Sequence, residues 1–222
     1  PRRTAIAVVL AFALSPLVMV WTRTAVSDPL LCSTLGLSLL FQWRRYVSPL
    51  RHPWWLAWFF LGLAVLTKGP VAVVLSALTL ALFAFAQGDF SGLWQRIRPM
   101  WGLFLVGLIS LPWYFAELIV EGQPFWDSFF GYHNFQRFTS VVNSHLQPWW
   151  FFGPVMVVAS LPFTPLLILG IYQSFRAFPR KKDISQSEAS ESLRTFATCW
   201  LFAVLAFFTF AKNTLKSYYI YN

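Results

Sequence analysis

Seven apolar runs divide this chain, at residues 4–21, 29–43, 54–67, 71–86, 100–118, 149–172 and 195–211, and an eighth begins near Tyr218. A helix needs roughly 17–25 apolar residues to cross a bilayer. Most runs fall in or near that range, so the pattern predicts an all-α, polytopic transmembrane helical bundle of about seven spans in a single transmembrane domain over 1–222. Composition agrees. Charged residues make up 11% of the chain and hydrophobic residues 57%, against about 25% charged in ordinary soluble domains. The mean hydropathy is +0.58.

Residues 54–86 read as two elements. As one helix they would be ~50 Å long, too long for a ~30 Å hydrocarbon core. Gly69-Pro70 is also a poor helix interior. The spacing predicts two helices meeting at a turn, the first of them short. The chain opens on Pro1 and stops within an apolar-aromatic run, which reads as an internal piece of a longer membrane protein.

Alternating the sides tests the topology. With Arg2 and Arg3 inside, twelve of the 17 basic residues fall on the cytoplasmic side. Arg23, Lys68, Arg137, Lys212 and Lys216 fall outside. The eight acidic residues divide evenly, so basic residues alone carry the bias, as the positive-inside rule expects. Residues 178–194 are polar and read as a cytoplasmic connector. Residues 120–148 form a long, aromatic-rich external loop. Cys32 and Cys199 lie at different depths, which predicts two unpaired core residues and no disulfide.

The five external basic residues and the external acids are where chemistry is sought. Asp28 precedes Pro29 and suits the first turn of the second span; it reads as a helix cap or as a functional carboxylate. Lys68, in Leu66-Thr67-Lys68-Gly69-Pro70, reads as a snorkelling side chain or as a cation facing an anion. On a helical projection of residues 124–138 (PFWDSFFGYHNFQRF), Phe125, Trp126, Phe129, Phe130 and Tyr132 share a sector of ~160°. This predicts an interfacial helix in the external loop. His133, Gln136 and Arg137 fall on its aromatic side. Arg137 fits a cation–π contact or a phosphate ligand, and His133 is a candidate acid/base group. Lys212, in Ala211-Lys212-Asn213, fits snorkelling or anion binding. Trp149 to Phe152 read as an aromatic belt.

Several stretches together resemble a known family. They are Ala25-Val26-Ser27-Asp28-Pro29, Gly62-Leu63-Ala64-Val65-Leu66-Thr67-Lys68-Gly69, Leu111-Pro112-Trp113, Pro124-Phe125-Trp126, Gln136-Arg137-Phe138, Ser160-Leu161-Pro162 and Ala211-Lys212 with Ser217-Tyr218. The chain is similar to lipid-linked sugar transferases of the aminoarabinose transferase and protein O-mannosyltransferase superfamily, which have the GT-C fold. The resemblance implies transfer of a sugar from a polyprenyl-phosphate donor to a lipid or protein acceptor, on the external face of a bacterial inner membrane. It implies Asp28 as a catalytic carboxylate. It implies Lys68 as a lysine lining the cavity, and Arg137 and Tyr218 as ligands of the carrier phosphate. A phosphate partly removed from water needs cations, so Lys68, Arg137 and Lys212 are expected to converge on one external cavity near Asp28.

In the family the probable base lies in an earlier external loop, so this piece by itself is expected to be inactive. No cofactor is required by the pattern, although a divalent metal is compatible with it, and neither a metal ligand set nor a nucleic-acid partner is indicated. Membrane lipids are expected partners. Lys216 stands where the aminoarabinose transferases usually have Pro, and His133 where a Glu is common. These departures favour a related branch over aminoarabinose transfer to lipid A. The alternative reading is a transporter or lipid flippase, which would predict inverted repeats and broken helices near the midplane; no internal repeat is evident.

Overall fold

A computed structural model describes residues 2–21, 23, 27–127, 150–176 and 189–213. These residues fold into helices α1 (Arg2–Ala13), α2 (Pro16–Trp21), α3 (Asp28–Val47), α4 (Trp54–Lys68), α5 (Val71–Gln87), α6 (Phe90–Ile97), α7 (Pro99–Glu121), α8 (Gln123–Phe125), α9 (Phe152–Ala159), α10 (Thr164–Arg176) and α11 (Ala189–Asn213). No strand occurs among the described residues. The chain is a helical membrane bundle.

Local chemistry sets most boundaries. Pro29 and Pro99 sit in first helical turns, where the missing N–H costs nothing. Gly69 (φ 82°) ends α4 and Gly88 (φ 65°) ends α5, in the left-handed region that glycine enters without a Cβ penalty. The Asp89 side chain caps α6 by accepting from the Gly92 N–H at 2.9 Å. As expected, residues 54–86 are two helices joined at Gly69-Pro70, and α4 is the shorter at 15 residues against 17.

The centre is built from α3, α4, α5, α7 and α11, with the main packings α3 on α4, α4 on α7 and α5 on α11. Leu39, Leu61, Ala64, Phe83 and Ala203 are buried there. Without a hydrophobic drive between helices in lipid, close approach and hydrogen bonds hold them together. Gly102 of α7 lies so close to the Trp58 ring that a Cβ would overlap it, and a Cβ at Gly62 would sit 2.9 Å from Ile109 Cδ1. Trp58 Nε1 also donates to the Ile97 carbonyl at 2.8 Å. Buried Gln42 donates to Ser38 Oγ (3.3 Å) and Ser76 Oγ (3.2 Å), tying α3 to α5. The outward face of α7 is apolar, with Phe104, Leu108 and Phe115 each about 60% exposed or more, as a lipid-facing surface requires.

By length and composition, Pro99–Glu121 and Glu191–Thr209 can each cross a membrane, and the α9–α10 pair makes a third if it is one span. Two of the expected spans are not continuous helices. The run at 4–21 breaks before Pro16, which cannot continue the hydrogen-bond ladder; Ser15 Oγ takes the Ala11 carbonyl instead at 2.8 Å. The run at 149–172 bends by 117° between α9 and α10. Pro162 interrupts it. Ser160 Oγ and Thr164 Oγ1 satisfy the carbonyls of Met156 and Val157, each at 2.8 Å. The two cysteines are unpaired; Cys199 is buried, but Cys32 is exposed rather than in the core. At its start α11 takes in residues 189–194, with Trp43 Nε1 donating to Ser192 Oγ at 3.2 Å.

Candidate functional site

α3 and α4 pack antiparallel, so the first turn of α3 lies beside the last turn of α4. Asp28 is the first residue of α3 and Lys68 the last of α4. The Lys68 ammonium donates to Asp28 Oδ1 and forms an ion pair with it. The two side chains are 40% (Asp28) and 32% (Lys68) exposed, so they sit at the edge of the bundle. Each group is also placed by its own helix. The carboxylate stands at the positive end of the α3 dipole and the ammonium at the negative end of α4, both favourable positions.

The α4 terminus is tightly held. The Val65 carbonyl accepts both the Gly69 N–H and the Tyr114 hydroxyl, each at 2.6 Å. Thr67 Oγ1 donates back to the Leu63 carbonyl at 2.9 Å. Tyr114 is buried and belongs to α7, so a third helix braces the turn that carries Lys68. Cys32 lies one helical turn beyond Asp28, on the same face of α3, and its exposed thiol is within electrostatic reach of both members of the pair.

Of the predicted site residues, the structure therefore brings Asp28 and Lys68 together. Lys68 is a paired cation, rather than a side chain that only snorkels. Lys212 falls in the last turn of α11. That helix is tied near its other end to Trp43, and ~20 residues of helix place its last turn ~30 Å away, at the end of the bundle that bears Asp28. Arg137, His133 and Tyr218, with most of the predicted interfacial helix, lie outside the described residues. Among the described residues no group of three or more His, Cys, Asp or Glu side chains is arranged to hold a metal ion. Tyr114 is the residue that sequence reading missed. It follows the Leu111-Pro112-Trp113 motif directly, but nothing local marks a tyrosine that reaches another helix.

The family model for dolichyl-phosphate-mannose-protein mannosyltransferase matches residues 1–123, a stretch that contains both members of the pair. The chain belongs to this mannosyltransferase family. It is also similar to proteins named undecaprenyl phosphate-alpha-4-amino-4-deoxy-L-arabinose arabinosyl transferase. The one from Pseudomonas aeruginosa (strain UCBPP-PA14) is 29% identical over 222 residues, covering 97% of this chain and 38% of the relative. That from Pseudomonas paraeruginosa is 30% identical over 226 residues, with the same coverage. That from Erwinia tasmaniensis is 29% identical over 222 residues, covering 98% of this chain and 38% of the relative. The chain thus spans little more than a third of the length of these relatives. No solved structure matches it.

Proposed function

We propose that the protein is an integral membrane glycosyltransferase that moves a sugar from a polyprenyl-phosphate carrier to a lipid or protein acceptor on the external face of a bacterial inner membrane. The observation that carries this reading is the Asp28–Lys68 pair at the rim of an apolar bundle, in a chain of the mannosyltransferase family. The named relatives support the donor class.

The chemistry follows from the groups. A polyprenyl-phosphate sugar keeps its tail in the bilayer and its phosphate at the interface. As an acceptor hydroxyl oxygen bonds to the anomeric carbon, its proton passing to a carboxylate base, the bond from that carbon to the phosphate oxygen breaks and negative charge grows on the leaving phosphate. A cation fixed at that depth stabilises it, because the charge is partly removed from water. Lys68 is such a cation, and the donor phosphate takes the place of Asp28 as its partner. Asp28, released, is free to act as a catalytic carboxylate near the anomeric centre. Arg137, Tyr218 and Lys212 complete the phosphate site, with His133 as a candidate acid/base group, and the bundle crosses the membrane seven times with the segment leading into α11 inside.

Reconstituted full-length protein, here and in every turnover measurement below, supplied with carrier labelled in both sugar and phosphate tests the reading against a transporter. Release of free polyprenyl phosphate is the expected result. Movement of the intact labelled lipid across the bilayer without its cleavage would overturn the reading in favour of a flippase.

A further inference from the structure

The end of the bundle opposite Asp28 and Lys68 gathers five arginines that the reaction does not use. We propose that Arg51 and Arg98, organised by Arg45, hold the phosphate headgroup of an anionic phospholipid in the leaflet on that side. The inference rests on the membrane placement of the bundle and is independent of glycosyl transfer.

Arg45 is the organiser. Its guanidinium donates to the His52 carbonyl and to the Arg96 carbonyl, both at 2.9 Å. One side chain thereby pulls the turn after α3 and the α6–α7 junction to a single point. Arg51 directly precedes His52, whose carbonyl Arg45 holds, and Arg98 follows Arg96 by two. Arg98 is close enough to Arg45 to act on it electrostatically. Arg96 is occupied otherwise, donating to the Tyr46 carbonyl at 2.9 Å with its guanidinium 4.9 Å from the Tyr46 ring centroid. Arg44, Arg51 and Arg98 are exposed.

No carboxylate among the described residues is ion-paired with any of these arginines. Asp89 accepts from the Tyr46 hydroxyl at 3.1 Å and from the Gly92 N–H, so its two oxygens are engaged. Like charges gathered this way favour an incoming anion. Arg98 also has a left-handed backbone (φ 52°), where Gly or Asn would be less strained. Keeping a long cation there at that cost points to use of the side chain.

The surroundings select a lipid over a free anion. α6 has three faces: Leu93 and Ile97 are buried, Ser91 and Gln95 are polar, and Phe90 and Trp94 are exposed at 57% and 60%. Trp101, early in α7, is exposed at 64%. Rings in this setting settle at the headgroup level, so acyl chains would run along them while the phosphate meets the arginines. Inorganic phosphate would satisfy the charge and leave the aromatic flank without a partner.

The test uses protein in nanodiscs of equal phosphatidylglycerol and phosphatidylcholine, with the lipid retained after mild extraction counted by native mass spectrometry. Wild type is expected to keep phosphatidylglycerol in preference. Each basic residue near a membrane surface is worth about fivefold, so Arg51→Gln with Arg98→Asn should lower that retention on the order of thirtyfold. Asn suits the left-handed backbone at 98. Arg51→Gln alone should cost about fivefold, and it keeps the test decisive if the double variant does not fold. Arg176→Gln, at the end of α10, controls for a general surface-charge effect and should cost clearly less than Arg51→Gln, and polyprenyl-phosphate release should be unaffected in all three. Wild-type retention in the double variant, an equal loss in Arg176→Gln, or displacement of the lipid by inorganic phosphate would each overturn the proposal.

Discussion

Lys68 at the end of α4 is ion-paired with Asp28 at the start of α3, 40 positions away in the sequence. The pair joins two helix termini whose dipoles already favour those charges. Being about a third exposed, it contributes little to stability, on the order of 0–1 kcal/mol. An ion pair worth so little to the fold fits a site whose partner changes when substrate binds.

Exchanging the charges separates structure from function. The Asp28→Lys, Lys68→Asp double variant rebuilds an ion pair but opposes both helix dipoles. Its thermal midpoint in detergent should fall modestly, by the equivalent of about 1–2 kcal/mol, while turnover is lost. Recovered turnover in the exchanged protein would reduce the pair to a strut.

Tyr114→Phe removes the hydroxyl that donates to the Val65 carbonyl. One hydrogen bond is worth about 1 kcal/mol, and the cavity created is negligible. The α4 terminus should loosen. Hydrogen exchange at Gly69, whose N–H shares that carbonyl, should speed up, and turnover should fall about fivefold, in step with the 1 kcal/mol lost.

Gly102→Ala forces a methyl group into the Trp58 ring. Overpacking of this kind costs about 1–3 kcal/mol, so the variant should unfold at a lower temperature or denaturant dose. Gly153→Ala, where a Cβ meets nothing within 4 Å, is the control and should be near neutral.

Gln42→Leu deletes the hydrogen bonds to Ser38 and Ser76. Interhelical bonds of this class average about 0.6 kcal/mol in membrane proteins. A loss near 1 kcal/mol is expected by reversible unfolding in detergent, with turnover intact because Gln42 lies away from the Asp28 end.

Sequence reading recovered what local signals encode. Gly69-Pro70 announced the turn between α4 and α5, and Asp28-Pro29 announced the first turn of α3. Lys68 and Asp28 were expected at one external cavity, but not in a direct ion pair, because the packing of α3 on α4 decides which side chains meet. The missed features share that cause or are too short to register. α6 is eight residues, between the apolar runs at 71–86 and 100–118, although Leu93 and Ile97 stand at helical spacing. The bend at Ser160-Leu161-Pro162 was submerged in a long apolar run, where hydropathy outweighed one proline. Cys32 looked like a core residue by type, yet its face of α3 is the one that carries Asp28 to the surface.

The central claim is that Lys68 meets the carrier phosphate and Asp28 acts on the sugar. Release of polyprenyl phosphate from labelled lipid-linked sugar, compared among wild type, Lys68→Ala and Asp28→Asn at matched folding, tests it most directly. Removing a charge-stabilising donor costs about 10²–10³ in rate; both variants should lose at least that much, with thermal midpoints close to wild type. Release within a few-fold of wild type in both variants would contradict the account.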